Sequence, residues 1–281
     1  MAAAACGILA GYDGSPGSDQ ALQWAVREAR VRGTVLTVCH AYAPEFPVPP
    51  DETAALDLAR RSGERNIAPG LQYATSVLGP VRARPLIVEG SAAAVLCERC
   101  RDADMVVVGS HGRSGTSGHL LGSASSQVAA HAGGRVVVVR GHWHPAASYA
   151  PGPVTVGTDG SASSRDAVDF AFEEAALRDA PLQVVCAMAD APGGPGGARW
   201  RREDFEHAVS LLEKEHPEVS VLRRATDGGA RDALLTAGHD AQMIVVGARG
   251  GGGIRGTMLG SVSRAVLEHA ACPAAVVHPA C

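Results

Sequence analysis

VVVGSHGRSGTSGHLLGSAS, residues 106–125, decides how the rest of the chain folds. Met105 to Val108 form an apolar, β-branched run with the length of a buried parallel strand, and the run stops at Gly109. Gly109 and Gly112 frame a turn, Gly115 and Gly118 follow in the same loop, and Gly122-Ser123 opens an apolar segment that reads as a helix through Val128. The amides of such a turn, and the first amides of the helix, lack internal partners and point outward with partial positive charge. That is a cradle for an anion. Glycine permits positive φ and the close approach of a ligand, and the Ser123 hydroxyl adds one more hydrogen bond to a phosphate.

A glycine-rich turn alone is shared by many tight strand-to-helix connections, but this one is written twice. IVVGARGGGGIRGTMLGSVS begins at Ile244 and pairs Gly109, Gly112, Gly115, Gly118, Leu121, Gly122, Ser123 and Ser125 with Gly247, Gly250, Gly253, Gly256, Leu259, Gly260, Ser261 and Ser263, each 138 positions on. The register continues to Val128 with Val266 and His131 with His269, so a whole unit is duplicated. Upstream, an apolar run at 6–11 leads into Tyr12-Asp13-Gly14-Ser15, and one at 154–157 leads into Thr158-Asp159-Gly160-Ser161. Asp13 precedes Gly109 by 96 positions and Asp159 precedes Gly247 by 88. Glu89-Gly90 and Asp227-Gly228 already hold the later register, so the length difference falls in the second loop and helix.

Taken in order, the first half predicts strands at 6–11, 34–40, 81–88, 103–109 and 135–140. Helices are predicted from the apolar period at Ala21, Leu22, Ala25, Val26 and Ala29, at 51–67, at 92–101 and from Ser123 to about His131. The second half predicts strands at 154–157, 182–187, 219–225, 242–247 and 274–278, with helices at 164–178, 199–216, 230–237 and after Gly260. Proline- and glycine-rich stretches at 43–50 and 191–197 are surface loops. Strands alternating with helices imply a parallel sheet, hence two doubly wound open α/β units of five strands. The domains are expected at 1–141 and 153–281, with the Pro- and Gly-rich 142–152 as linker.

At 281 residues, 46% apolar and 19% charged, the chain suits two soluble globular domains. A net charge of −4 and no basic run argue against nucleic acid or an anionic membrane as partner. No apolar stretch is long enough for a bilayer, and the alanine-rich start lacks the features of a secretory signal, so a cytoplasmic location is expected. Seven scattered cysteines point to a reducing compartment. The Cys97-x-x-Cys100 pair falls inside a helix and has no second pair to complete a zinc site.

In an open parallel sheet, ligands bind beyond the carboxyl ends of the strands, where the strand order reverses. Both aspartate turns and both glycine turns lie at that edge. The pattern of glycine, two residues, glycine, nine residues, glycine and serine, met at both copies, resembles the ATP-binding branch of the universal stress protein family in a tandem arrangement covering nearly the whole chain. The resemblance implies an adenine nucleotide alpha hydrolase-like, Rossmann-like fold and a site made by the aspartate after strand one, the residue ending strand two and the glycine motif. Carried over, these are Asp13, Ala41, Gly109, Gly112, Gly122 and Ser123 in the first half, and Asp159, Met188, Gly247, Gly250, Gly260 and Ser261 in the second. Asp13 and Asp159 would face the ribose or a Mg²⁺ shared with the phosphates, as well as serving as turn residues before Gly-Ser. His111, Arg113, Arg249 and Arg255 sit in the glycine loops within reach of phosphate, while His131 and His269 suit helix C-termini.

Several enzyme classes lose on text. There is no G-x-x-x-x-G-K-[ST], no G-x-G-x-x-G in the first turn, no Ser-Gly-Gly-x-Asp-Ser, and no nucleophile beside a base. The expectation is a regulator or sensor of stress that binds ATP, with hydrolysis slow at most. The alternative is a nucleotide-independent interaction module with vestigial sites. Family members commonly pair through the fifth strand, which implies intramolecular pairing of the two domains or a homodimer. The first half departs from the family there, with Gly133-Gly134-Arg135 where the second has Ala271-Cys272-Pro273.

Overall fold

Every apolar run between a glycine turn and the next helix folds as a strand of a parallel sheet. The computed structural model describes residues 7–43, 53–112, 121–140, 152–188, 202–250 and 259–279. The chain divides into two compact units, Met1–Gly141 and His142–Cys281. The expected loops at 43–50 and 191–197 lie almost wholly outside the described residues, as do Gly115, Gly118, Gly253, Gly256, Arg113, Arg255 and all of the linker but Gly152.

The first unit runs β1 (Ile8–Gly11), α1 (Pro16–Arg32), β2 (Leu36–Tyr42), α2 (Thr53–Leu78), β3 (Ala83–Glu89), α3 (Ala92–Arg99), β4 (Met105–Gly109), α4 (Ser123–His131) and β5 (Arg135–Val139). Its strands are all parallel in the order β3-β2-β1-β4-β5. The order reverses between β1 and β4, where Ile8 faces Met105 and Ala10 faces Val107. The second unit runs β6 (Val154–Gly157), α5 (Ala162–Leu177), β7 (Leu182–Ala187), α6 (Arg202–Glu215), β8 (Val221–Thr226), α7 (Ala230–Ala237), β9 (Met243–Gly247), α8 (Ser261–His269) and β10 (Ala274–Val277). It repeats the order as β8-β7-β6-β9-β10, with Val154 facing Met243 and Val156 facing Val245. Central strands of such sheets are covered on both faces, so Ile8, Leu9, Val106, Val107, Val154 and Val245 are fully buried.

Local signals set α1. Ser15 caps it by accepting from the Ser18 amide at 3.2 Å, Pro16 supplies a pre-set φ in the first turn, and Gly33 ends it in the left-handed region at φ 66°. Its buried face, Ala21, Leu22, Trp24, Ala25, Val26 and Ala29, is the apolar period of the sequence. Pro85 is tolerated within β3 because β3 ends the sheet order and one side of it needs no ladder donor.

Three expectations need correction. The second helix does not stop near Ile67; α2 continues through Pro69 to Leu78, because Gly63, Ile67, Gly70, Ala74 and Leu78 keep one buried stripe running along it. Packing against the sheet overrides the local breaker. The second strand extends to Tyr42 rather than His40, since β3 pairs with it as far as Glu89. The third helix ends at Arg99, and Cys100 starts a separate turn of 3₁₀ helix, Cys100–Asp102.

Candidate functional site

Each site begins where the first strand of its unit ends. Gly14 and Gly160 turn the chain at φ 78° and 73°, values that a side chain would oppose. Asp13 Oδ1 accepts from the Ser15 amide at 3.0 Å, and Asp159 Oδ1 accepts from the Ser161 amide at 3.0 Å and from its hydroxyl at 2.5 Å. The turn role is therefore filled. The second oxygen of each carboxylate reaches across to the other turn: a Cβ added at Gly112 would lie 2.6 Å from Asp13 Oδ2, and one at Gly250 would lie 2.7 Å from Asp159 Oδ2. Each aspartate thus bridges the two loops that frame the switch point.

The motif glycines have different reasons to be glycine. Gly109 lies against the first turn of α1, where an added Cβ would stand 2.4 Å from the Gly17 carbonyl oxygen. Gly112 and Gly250 make room for the aspartates. Gly122 and Gly260 are unlike these: their φ values, −61° and −68°, suit any residue, and an added Cβ would meet its nearest atom no closer than 3.4 Å and 3.5 Å. Packing among the described residues does not require glycine at either.

Those two glycines cap α4 and α8 without a side-chain hydrogen bond, so the leading helix amides face the loop edge. Ser125 and Ser263 fix the helix ends by donating to the Gly109 and Gly247 carbonyl oxygens at 2.6 Å and 2.7 Å. Ser123 and Ser261, one helical position after the caps, are exposed.

A cavity lies at each switch point. In the first unit it measures about 90 Å³ and is lined by Asp13, Ala41, Gly109 and Gly112 together with Tyr12, Cys39, His40 and Leu96; Gly122 and Ser123 stand outside the lining. In the second it measures about 450 Å³ and gathers Asp159, Gly247, Gly250, Gly260 and Ser261 with Arg231, Leu234 and Arg249. Met188 is not among them. It follows the end of β7, its amide bound to the Thr226 carbonyl oxygen, and Ala187 takes the place equivalent to Ala41. Sequence reasoning passed over the anchoring serines, the Leu96 and Leu234 walls, and Arg231. The 138-residue register pairs both the serines and the leucines, and was the signal available for them.

Burial holds the thiols and the phenol beside the cavities in their protonated forms. Burial pushes the Cys39 thiol up to about 12, and burial followed by the Asp159 charge does the same to Cys186. Tyr12 rises to about 12 through burial and its 2.8 Å hydrogen bond to Asp19. Among the described residues no three His, Cys, Asp or Glu side chains cluster to hold a metal alone, and no helix is long and apolar enough to cross a membrane.

The universal stress protein family model matches residues 7–140 and 152–278. A universal stress protein of Mycolicibacterium smegmatis is 34% identical over 288 residues, covering 97% of each chain. One of Mycobacterium tuberculosis is 32% identical over 290 residues, covering 96% of this chain and 95% of its own. The crystal structure of a universal stress protein from Archaeoglobus fulgidus shares the fold across 98% of both chains, at a TM-score of 0.75 and 19% identity. The chain belongs to the universal stress protein family, with two copies of its domain in tandem.

Proposed function

We propose that the chain is a cytoplasmic regulator of the stress response that works by binding ATP. The observation that carries this is the glycine at the mouth of the larger cavity. Among the described residues no conformational or packing demand requires glycine at position 260, yet it caps α8 beside an opening of about 450 Å³. That volume lies within the roughly 300–1,000 Å³ typical of small-molecule sites. A bare residue there lets phosphate oxygens approach the amides of α8.

Mg²⁺ suits the same place on the chemistry of its donors. This ion is commonly held by one or two carboxylates and by the phosphates it accompanies, and each cavity offers one aspartate, Asp13 or Asp159. Hydrolysis, where it occurs, is slow, because Asp159, the carboxylate lining the larger cavity, is engaged by the Ser161 amide and hydroxyl and serves a metal better than a water. Calorimetric titration of the chain with ATP and Mg²⁺ should give saturable heat and a higher thermal unfolding midpoint. Absence of both removes ATP from the account and favours the interaction module.

A further inference from the structure

The two cavities occupy equivalent places but are not equivalent sites. Position by position, Gly11, Asp13, Leu96, Gly109 and Gly112 correspond to Gly157, Asp159, Leu234, Gly247 and Gly250, and all of them line their cavities. The difference lies in what stands between these shared points. Tyr12 and His40 line the first cavity, where the second unit has Thr158 and Cys186. Both side chains are held in place. The Tyr12 hydroxyl donates to Asp19, His40 Nδ1 lies 2.7 Å from the Tyr12 carbonyl oxygen, and both are at least 94% buried. Helix α2 presses on them through glycines: an added Cβ would lie 2.7 Å from the Tyr12 ring at Gly70 and 3.2 Å from the His40 ring at Gly63.

Charge differs as well as space. Arg231 and Arg249 line the second cavity, and their counterparts in the first unit are Ala93 and His111. His111 is engaged through Nδ1, 3.1 Å from the Ser110 hydroxyl. The second unit has Ala248 where Ser110 stands, which removes that tie, and both arginines are exposed at the rim. Among the described residues no Lys or Arg lines the first cavity. A guanidinium presents paired donors that match phosphate oxygens.

We infer that nucleotide binding is confined to the second unit, and that Arg231 and Arg249 make its cavity selective for the polyphosphate tail over a single phosphate. The first unit, filled by Tyr12 and His40 and without Lys or Arg among the described residues of its lining, takes no nucleotide. This inference rests on the proposed ATP function and narrows it.

Calorimetry of the full chain with ATP, and separately with AMP, decides it. The expected result is one equivalent of ATP per chain, abolished by Gly260→Val. Arg231→Ala and Arg249→Ala, at exposed positions where folding is not at stake, should each weaken ATP by about tenfold, the loss of one charge-assisted contact, and AMP by much less. Two equivalents, unchanged stoichiometry in Gly260→Val, or equal weakening of ATP and AMP by the arginine variants overturns the inference while leaving ATP binding in place. No heat from the unsubstituted chain with either nucleotide removes the inference together with the function it rests on.

Discussion

Ser263 shows how one buried hydroxyl can set a whole site. Its Oγ donates to the Gly247 carbonyl oxygen at 2.7 Å, tying the start of α8 to the end of β9 and fixing where the helix amides point. Ser125 does the same for Gly109 at 2.6 Å. Ser263→Ala should lower stability by about 1–2 kcal/mol, the net worth of a buried hydrogen bond plus a poorly compensated partner, read as a lower urea midpoint. ATP affinity should fall with it, because the amides lose their fixed aim; an unchanged affinity would show that the loop alone orients them. This role was visible in the text only as a repeated serine. The letters show that Ser123 and Ser125 both recur, but which hydroxyl turns inward depends on helix phase. Once the cap is at Gly122, Ser125 lies on the buried face and Ser123 on the exposed one. The aspartates were more legible, since Asp before Gly-Ser has a turn chemistry of its own, although their reach to Gly112 and Gly250 joins segments distant in sequence.

At the scale of elements, sequence reasoning succeeds where start and stop signals are local and fails where distant packing decides. Helix α1 has its cap, its first-turn proline and its terminal glycine written in the text. Helix α2 does not. Pro69-Gly70 reads as a break, yet the helix passes through it because Gly70 lets α2 settle against Tyr12, and Ile67, Ala74 and Leu78 are buried on the same stripe. Pro69 itself is exposed and offers no amide to the helix ladder. Pro69→Ala should therefore restore one backbone hydrogen bond without disturbing the buried face, raising stability by about 1–3 kcal/mol in urea unfolding. A loss of stability instead would mean that a bend at Pro69 is needed to seat Gly70 on the tyrosine. The corresponding helix of the second unit, α6, buries Phe205 and Val209 instead.

For the molecule as a whole, the duplicated motif made the fold and the alternation of strands and helices readable, because a repeat that holds one register across a glycine turn, a helix and a strand constrains both copies at once. Cavity size was not readable, since it depends on which side chains from several elements converge. The same cores also bury free thiols in both units: Cys39 in β2 of the first, and Cys186 in β7 and Cys272 before β10 of the second. Burial pushes each up to about 12 from an ordinary value of 9. Below pH 9 the thiols are protonated whether the chain is folded or not, and their contribution to stability is complete. Above it the unfolded chain releases those protons while the folded chain retains them, so folding weakens as pH rises, by about 1.4 kcal/mol per pH unit for each thiol, until the folded groups themselves titrate. Lys214 is the chain's single lysine, so little else of the basic side chains changes charge in this window. Urea unfolding between pH 8 and 11 should accordingly show a steep loss of stability, and Cys272→Ala should flatten it by one thiol's share. A variant with the same slope as the parent would show that Cys272 ionises in the folded chain as readily as in the unfolded one, and that the core around it admits water.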